Sequence, residues 1–296
     1  MNDLANQNEP VTGAAREGGL VPRQTTPLIK YAGGKRWLVP YIGPGIARHL
    51  AAHPTATYHE PFVGGAALAL WLGCGARMNL ADYCEPLVNL YLQVRDRPSS
   101  LWRAFNELIQ SGIGEQQYYE VRDSTPRSDI LRAARMLYLT RLAFNGLWRF
   151  NRGGAYNVPF GDHKTVAIPD LDRIHEVSEA LRGARVWHTD FEVPIRFARP
   201  LDVIYCDPPY YQSFDQYTPE RFGELDQRRL GLVLHDAARR GVRFIQSNRD
   251  CAFIRDLYSW ADIIPVAELR SINSDGAGRG PVDCVVVTND RSLVDL

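Results

Sequence analysis

The sequence predicts an α/β fold, a mostly parallel sheet with helices on both faces, interrupted by an inserted and mainly helical region carrying a β-hairpin. Three observations predict it. Short apolar runs rich in Val, Ile and Tyr recur along the chain and alternate with helical stretches on either side of a mixed, arginine-rich middle. Three of these runs end on an aspartate, Asp82, Asp190 and Asp207, and open α/β sheets bind ligands beyond the carboxyl ends of their strands. Finally, 296 residues with 45% hydrophobic content suffice for one large domain, or one domain plus an insertion.

Composition narrows the function classes. Lys+Arg and Asp+Glu are equal at 34 each, so only local clustering can speak for a polyanionic partner. No run of apolar residues is long enough to span a membrane and no signal-peptide pattern opens the chain, which makes an intracellular protein the expectation. The cysteines Cys74, Cys84, Cys206, Cys251 and Cys284 form no C-x-x-C pair, and His49 and His53 are the one H-x-x-x-H pair among the seven histidines, two ligands at most and too few for a metal site. Neither a disulfide framework nor a metal is expected.

Residues 1–26, rich in Asn, Gln, Gly and Glu, read as a disordered tail. Leu28-Ile29-Lys30-Tyr31-Ala32-Gly33-Gly34-Lys35 is a short apolar start running into two glycines, with two of the chain's three lysines inside it. Paired glycines ahead of a helix let backbone approach a ligand and expose N–H groups. A helix is expected over 37–50 despite Pro40 and Pro44, with Gly43-Pro44-Gly45 as punctuation. Thr57 to Phe62 reads as a strand, Val63-Gly64-Gly65-Ala66 as a tight turn and Ala67 to Leu72 as a buried helix. A second strand, Met78 to Ala81, ends on Asp82, eighteen positions after Gly64, close to the spacing at which nucleotide-binding units put an acid on ribose hydroxyls.

From Pro86 to Arg185 the pattern is helical, with Ile130 to Leu142 expected to be the most amphipathic helix. Between Arg95 and Lys164 there are eleven basic and seven acidic side chains, a local excess in a neutral chain. Phe144 to Gly161 interleaves aromatics, arginines and turn residues, and Arg152-Gly153-Gly154 reads as a hairpin tip. Arginines bond guanine edges or phosphates and aromatic wedges fill a vacated base stack, so such a hairpin suits nucleic acid. Strands are then expected at Val186 to Thr189, Leu201 to Cys206, Val242 to Gln246 and Cys284 to Thr288, and a helix at Gln227 to Arg239.

Asp207-Pro208-Pro209-Tyr210 follows the buried run Leu201 to Cys206. The prolines remove two backbone donors and fix φ, so the carboxylate and neighbouring carbonyls are available to accept hydrogen bonds beside a flat ring. This suits a planar substrate with an exocyclic amine, such as a nucleobase. Each stretch also has an ordinary reading, as a glycine turn, a surface hairpin or a strand ending in a Pro turn.

Taken together in this order, the motifs resemble the Dam-type, D12-class (alpha-group) DNA adenine-N6 methyltransferases. The residues that carry the resemblance are Lys30 to Lys35, Glu60-Pro61-Phe62-Val63-Gly64-Gly65, Leu80-Ala81-Asp82, Phe144-Asn145-Gly146, Asn157 to Gly161, Asp207 to Tyr210, Ser247-Asn248-Arg249-Asp250 and Arg270 to Ser274. The resemblance implies a Rossmann-like methyltransferase sheet, formed by 27–94 and 186–296, with a target-recognition insertion at 95–185. It implies S-adenosyl-L-methionine as methyl donor, held by Tyr31, Ala32, Gly33, Lys35, Glu60, Pro61, Phe62, Gly64, Asp82, Asp190, Phe191 and Asp207. Catalysis would fall to Asp207, Pro208, Pro209 and Tyr210, and contact with double-stranded DNA to Lys30, Asn145, Arg149, Asn151, Arg152, Tyr156 and Asn157. A monomer in solution, cytoplasmic and nucleoid-associated, of prokaryotic or phage origin, is the accompanying expectation. Ala66 stands where the family often has a glycine, and Tyr31 where it often has Trp. Cytosine-N4 transfer, RNA-base methylation and a silent DNA-binding protein of the same fold remain as alternatives.

Overall fold

The computed structural model describes residues 22, 24–31, 33–151, 153–212, 222–269 and 281–295. Ala32, Arg152, Arg270 to Ser274 and most of the expected tail lie outside the described residues. Residues just ahead of Pro27 pack onto the fold: Thr25 is buried, and Arg173 donates to the Thr26 carbonyl and to its Oγ1 at 2.6 Å.

The chain runs α1 (Val39–Ala52), β1 (Thr57–Glu60), α2 (Ala67–Leu72), β2 (Arg77–Asp82), then the helices α3 (Glu85–Asp96), α4 (Pro98–Ser111), α5 (Glu115–Asp123), α6 (Asp129–Leu142) and α7 (Leu171–Ala180). It returns to β3 (Arg185–His188), α8 (Glu192–Phe197), β4 (Val203–Cys206), α9 (Glu224–Arg239), β5 (Arg243–Arg249), α10 (Ala252–Leu257), β6 (Asp262–Leu269) and β7 (Pro281–Thr288). The seven strands form one sheet in the order β3-β2-β1-β4-β5-β7-β6. The first five are parallel, β7 is antiparallel to β5, and β6 is antiparallel to β7.

Alternation along the strands divides the core. In β4, Val203 and Tyr205 join the cluster packed under α1 to α7, while Ile204 and Cys206 join the cluster of α8 to α10. All four are buried, which is why the run reads as continuously apolar rather than alternating. Burial of Val203 and of Ile204 contributes roughly 1.5–3 kcal/mol each. Chain order reverses between β1 and β4, since β2 and β3 lie on one side of β1 and β4 and β5 on the other. A crevice opens beyond the strand ends at such a reversal.

Three expectations are corrected. β6 was not among the expected strands; it carries Pro265, which the sheet tolerates because β6 is its edge. Gly43-Pro44-Gly45 is not punctuation but lies inside α1, where Pro44 is accommodated. The glycines there allow close packing: a Cβ on Gly43 would stand 2.8 Å from the Trp71 ring, and one on Gly45 would collide with the Leu293 backbone. α6 is not the most amphipathic helix. It is buried on nearly every side, with Ala133, Ala134 and the run Met136–Thr140 all inside, and α4 is the more sharply two-faced.

Candidate active site

β4 delivers Asp207 to the crevice, and β1 brings Glu60 and the turn after it to the neighbouring strand end. Ser247, on the adjacent β5, donates to Asp207 Oδ1 at 2.6 Å. Lys35 Nζ lies 3.2 Å from the same oxygen, 4.6 Å from the centre of the Tyr210 ring, and donates to the Gly33 carbonyl at 2.6 Å. Lys35 is buried. The two halves of the sequence pattern, glycine-lysine and Asp-Pro-Pro-Tyr, therefore meet directly through this ammonium.

A clasp of two buried amides holds the backbone on either side of Tyr210. Gln227 of α9 donates from Nε2 to the Pro209 carbonyl at 2.8 Å, and its Oε1 accepts from Asn248 Nδ2 at 3.0 Å. Asn248 Oδ1 in turn accepts from the Tyr211 N–H at 3.2 Å. Both amides are fully buried, so every one of these bonds is made in a low-dielectric setting where leaving it unmade is expensive.

Beyond β1, Gly64 has φ +44, and a Cβ there would stand 3.3 Å from Tyr31 Cδ1; the glycine lets the Tyr31 ring lie against the turn. Asp82, at the end of β2, accepts from Gly64 N–H at 3.0 Å and Cys84 N–H at 2.9 Å, tying this turn to the next loop. Burial pushes its carboxyl up, against those backbone donors. Glu60 goes further, to about 8: burial is the main cause, the Tyr58 hydroxyl donating at 3.0 Å works the other way, and the Asp207 charge raises it again. This burial favours the protonated form of Glu60.

On the far side, Phe191 stacks on Phe62 with centroids 5.4 Å apart, and Phe222 meets both edge-on. Asp190 Oδ1 accepts from the Glu192 N–H at 2.9 Å, and its Oδ2 pairs with Arg229 of α9 at 2.7 Å. That guanidinium lies over the Phe191 ring at 4.4 Å. The structure thus gathers Tyr31, Gly33, Lys35, Glu60, Phe62, Gly64, Asp82, Asp190, Phe191 and the residues 207–210 around one crevice.

The basic hairpin is built at a distance from this crevice in sequence but is tied to the glycine-lysine segment. Lys30, exposed, packs on the Phe144–Gly146 turn, where a Cβ on Gly146 would come within 2.6 Å of Lys30 Cβ. Asn145 there has φ +54. Phe150 bridges Tyr156, and Asn151 Oδ1 accepts from the Gly153 and Ala155 N–H groups at 2.9 and 3.0 Å, closing the tip. Arg149 Nε donates to Asn157 Oδ1 at 3.0 Å. Tyr156 does not face outward: it is buried against Trp148, 4.7 Å between centroids, and donates to the Leu147 carbonyl.

The local excess of basic charge is largely spent inside the helical region. Arg135 donates to the Val121 and Arg122 carbonyls at the end of α5, Arg141 to the Leu28 carbonyl, and Arg132 pairs with Glu85 and Asp129. Gln227, Arg229 and Phe222 were not among the sequence candidates. Phe222 and Gln227 carry no local signal, whereas Ser247 and Asn248 stood in a recognised motif without an assigned role.

Among the described residues no helix is long and apolar enough to cross a membrane, and no group of three or more His, Cys, Asp or Glu side chains is arranged to hold a metal ion. Comparison with known proteins adds to the geometry. Residues 31–272 match the family model described as D12 class N6 adenine-specific DNA methyltransferase. The chain is 31% identical to the type II methyltransferase M1.LlaDCHI of Lactococcus lactis subsp. cremoris, over 89% of this chain and 95% of that protein. It is 33% identical to the DNA adenine methylase of Vibrio cholerae, over 86% of this chain and 93% of the relative, and 29% identical to the retron Ec67 DNA adenine methylase of Escherichia coli, over 90% and 93%. With the strand-end carboxylates, the Asp-Pro-Pro-Tyr loop and the match across most of its length, this chain belongs to the D12 class of N6 adenine-specific DNA methyltransferases.

Proposed function

We propose that this enzyme transfers the methyl group of S-adenosylmethionine to the N6 amine of an adenine swung out of double-stranded DNA. The observation that carries the reading is the meeting of Asp207, Lys35 and Ser247 at the reversal between β1 and β4, next to the glycine turn of β1.

The residues fit the donor. Glu60, Asp82, Asp190 and Asp207 stand at or just beyond the ends of four neighbouring parallel strands, a set of acceptors suited to a ligand with a sulfonium, an ammonium and ribose hydroxyls. The Phe62–Phe191 pair offers apolar faces for a purine ring, and the positive-φ turn at Gly64 lets backbone come close. When bound, S-adenosylmethionine supplies an electrophilic methyl group on its sulfonium.

The protein's part is to make a poor nucleophile better and to hold it in line. The lone pair of the adenine amine is delocalised into the ring. Asp207 and the Pro208 carbonyl accept its two N–H bonds and favour the pyramidal nitrogen of the transition state. Ser247 and Lys35 hold the Asp207 carboxylate in place, and Tyr210 offers its ring as the stacking platform for the extruded base. Alignment of nucleophile and methyl accounts for much of the acceleration.

The helical section 95–185, with the hairpin between α6 and α7, serves as the target-recognition region on a catalytic domain of 27–94 and 186–296. Lys30, Asn145, Arg149, Asn151 and Arg152 contact the duplex, and GATC is the first site to test. The enzyme is a monomer in solution and works in the cytoplasm. Nucleoside analysis of DNA and RNA incubated with protein and labelled cofactor tests the reaction: N6-methyladenine in DNA is expected. Asp207→Ala should abolish transfer with DNA binding retained, and normal turnover by that variant would overturn its role.

A further inference from the structure

α9 reaches both sides of the crevice within one turn. Gln227 is fully buried and reads the Pro209 carbonyl, 2.8 Å away, while Asn248 closes the circle to the Tyr211 N–H. Two residues later, Arg229 projects to the opposite side. Its guanidinium pairs with Asp190 Oδ2 at 2.7 Å, approaches Glu192 at 3.3 Å and Asp226 at 3.4 Å, and lies 4.4 Å over the Phe191 ring. The start of the helix is set by Asp226, whose carboxylate accepts from the Gly223 N–H at 2.9 Å. Neither Gln227 nor Arg229 is itself a group that the transfer chemistry requires.

We propose that Gln227 and Arg229 are positioning residues, one for each substrate of the reaction: Gln227, through its hydrogen bond to Pro209, orients Tyr210 and the acceptor loop, and Arg229, through Asp190 and Phe191, orients the donor's pocket. The inference rests on the functional reading above, in which 207–210 take the base and Asp190 and Phe191 take the donor. Its physical basis is the different way each side chain is held. Gln227 is fully buried with both ends of its amide in use, so losing its donor leaves the Pro209 carbonyl unsatisfied and lets the loop carrying Tyr210 shift. A displacement of about 1 Å at a reacting group costs on the order of a hundredfold in rate. Arg229 is partly exposed, and its ion pair with Asp190 is correspondingly weaker. The stacked face on Phe191 adds to it.

The two residues therefore have opposite kinetic signatures, which a helix serving only to stabilise the fold would not produce. Gln227→Glu keeps the shape and the acceptor towards Asn248 but replaces the donor towards Pro209. It should lower kcat about a hundredfold and leave the dissociation constant for S-adenosylmethionine, measured by calorimetry on the full-length protein, unchanged. Arg229→Met should raise that dissociation constant roughly fivefold and leave kcat at saturating cofactor within about twofold of the parent. Arg229→Lys, which keeps the charge near Asp190, should recover part of the affinity. If both variants lose kcat and cofactor affinity together, or if Gln227→Glu turns over normally, the inference is overturned. Should Gln227→Glu not fold, Asn248→Asp breaks the same clasp from the other side and carries the same expected loss of kcat. Methyl transfer to DNA by the parent enzyme is measured first; its absence would refute the functional reading itself, and its presence with unsplit variants would refute only the positioning roles.

Discussion

Replacing Glu60 by Gln should flatten the dependence of stability on pH across the neutral range. Glu60 is buried at the end of β1 with its carboxyl raised to about 8 from an ordinary 4.5, first by burial and, beyond the opposing Tyr58 hydrogen bond, by the nearby Asp207 charge. A carboxyl raised in this way holds a proton in the folded state that the unfolded chain has already released. Its contribution is therefore fully present below the unfolded value of 4.5, declines as pH rises, and has been lost once pH has passed through about 8. Between about pH 6 and about pH 9 this single group should cost the folded state about 3 kcal/mol. Glutamine keeps the size of the side chain and an oxygen for the Tyr58 hydroxyl but cannot ionise. Urea unfolding of both proteins at the two pH values measures the difference. The parent should lose about 3 kcal/mol more than Glu60→Gln across the interval. Asp82 is also raised by burial but is present in both proteins and cancels. Parallel stability curves for parent and variant would refute the raised Glu60 carboxyl.

Gly45→Ala should destabilise the protein by about 1–3 kcal/mol, because the new methyl group meets the Leu293 backbone, which cannot yield as a side-chain tip would; thermal denaturation reads the loss. Asp202→Ala should cost about 3 kcal/mol or more, since it strands the N–H groups of Thr57 and Arg199 together with buried His59, all of which Asp202 now accepts from or pairs with. Burial acts to raise the Asp202 carboxyl, but these donors outweigh it and hold the group below its ordinary 3.8, so its contribution should be present above that value and fade as pH falls further in acid unfolding. Asn157→Ala frees Arg149 from its 3.0 Å hydrogen bond and should change the preference among DNA sites, read by sequencing of methylated libraries, while leaving cofactor affinity unchanged.

Much of this protein is legible in its sequence because its chemistry lies in contiguous residues. Asp207 to Tyr210 carry their own rigidity in two prolines, the Lys30 to Lys35 segment carries its glycines, and strands such as Leu201 to Cys206 announce themselves by burial on both faces. The sequence by itself thus determined the sheet class, the order of the motifs and the identity of the carboxylates at the strand ends. Tertiary structure decided how these pieces are held. Gln227 and Asn248 close a clasp across 21 residues of sequence that leaves no periodic signal, and Arg229 pairs with Asp190 across 39. It also decided which arginines of the helical region remain available, since Arg135 and Arg141 are taken up by backbone carbonyls that no sequence pattern reveals. Tyr156 turned inward, β6 tolerated Pro265 at an edge, and the Glu60 carboxyl was raised for the same reason: burial, neighbours and edge position are properties of the packed chain, and the free energies they control exceed local preference.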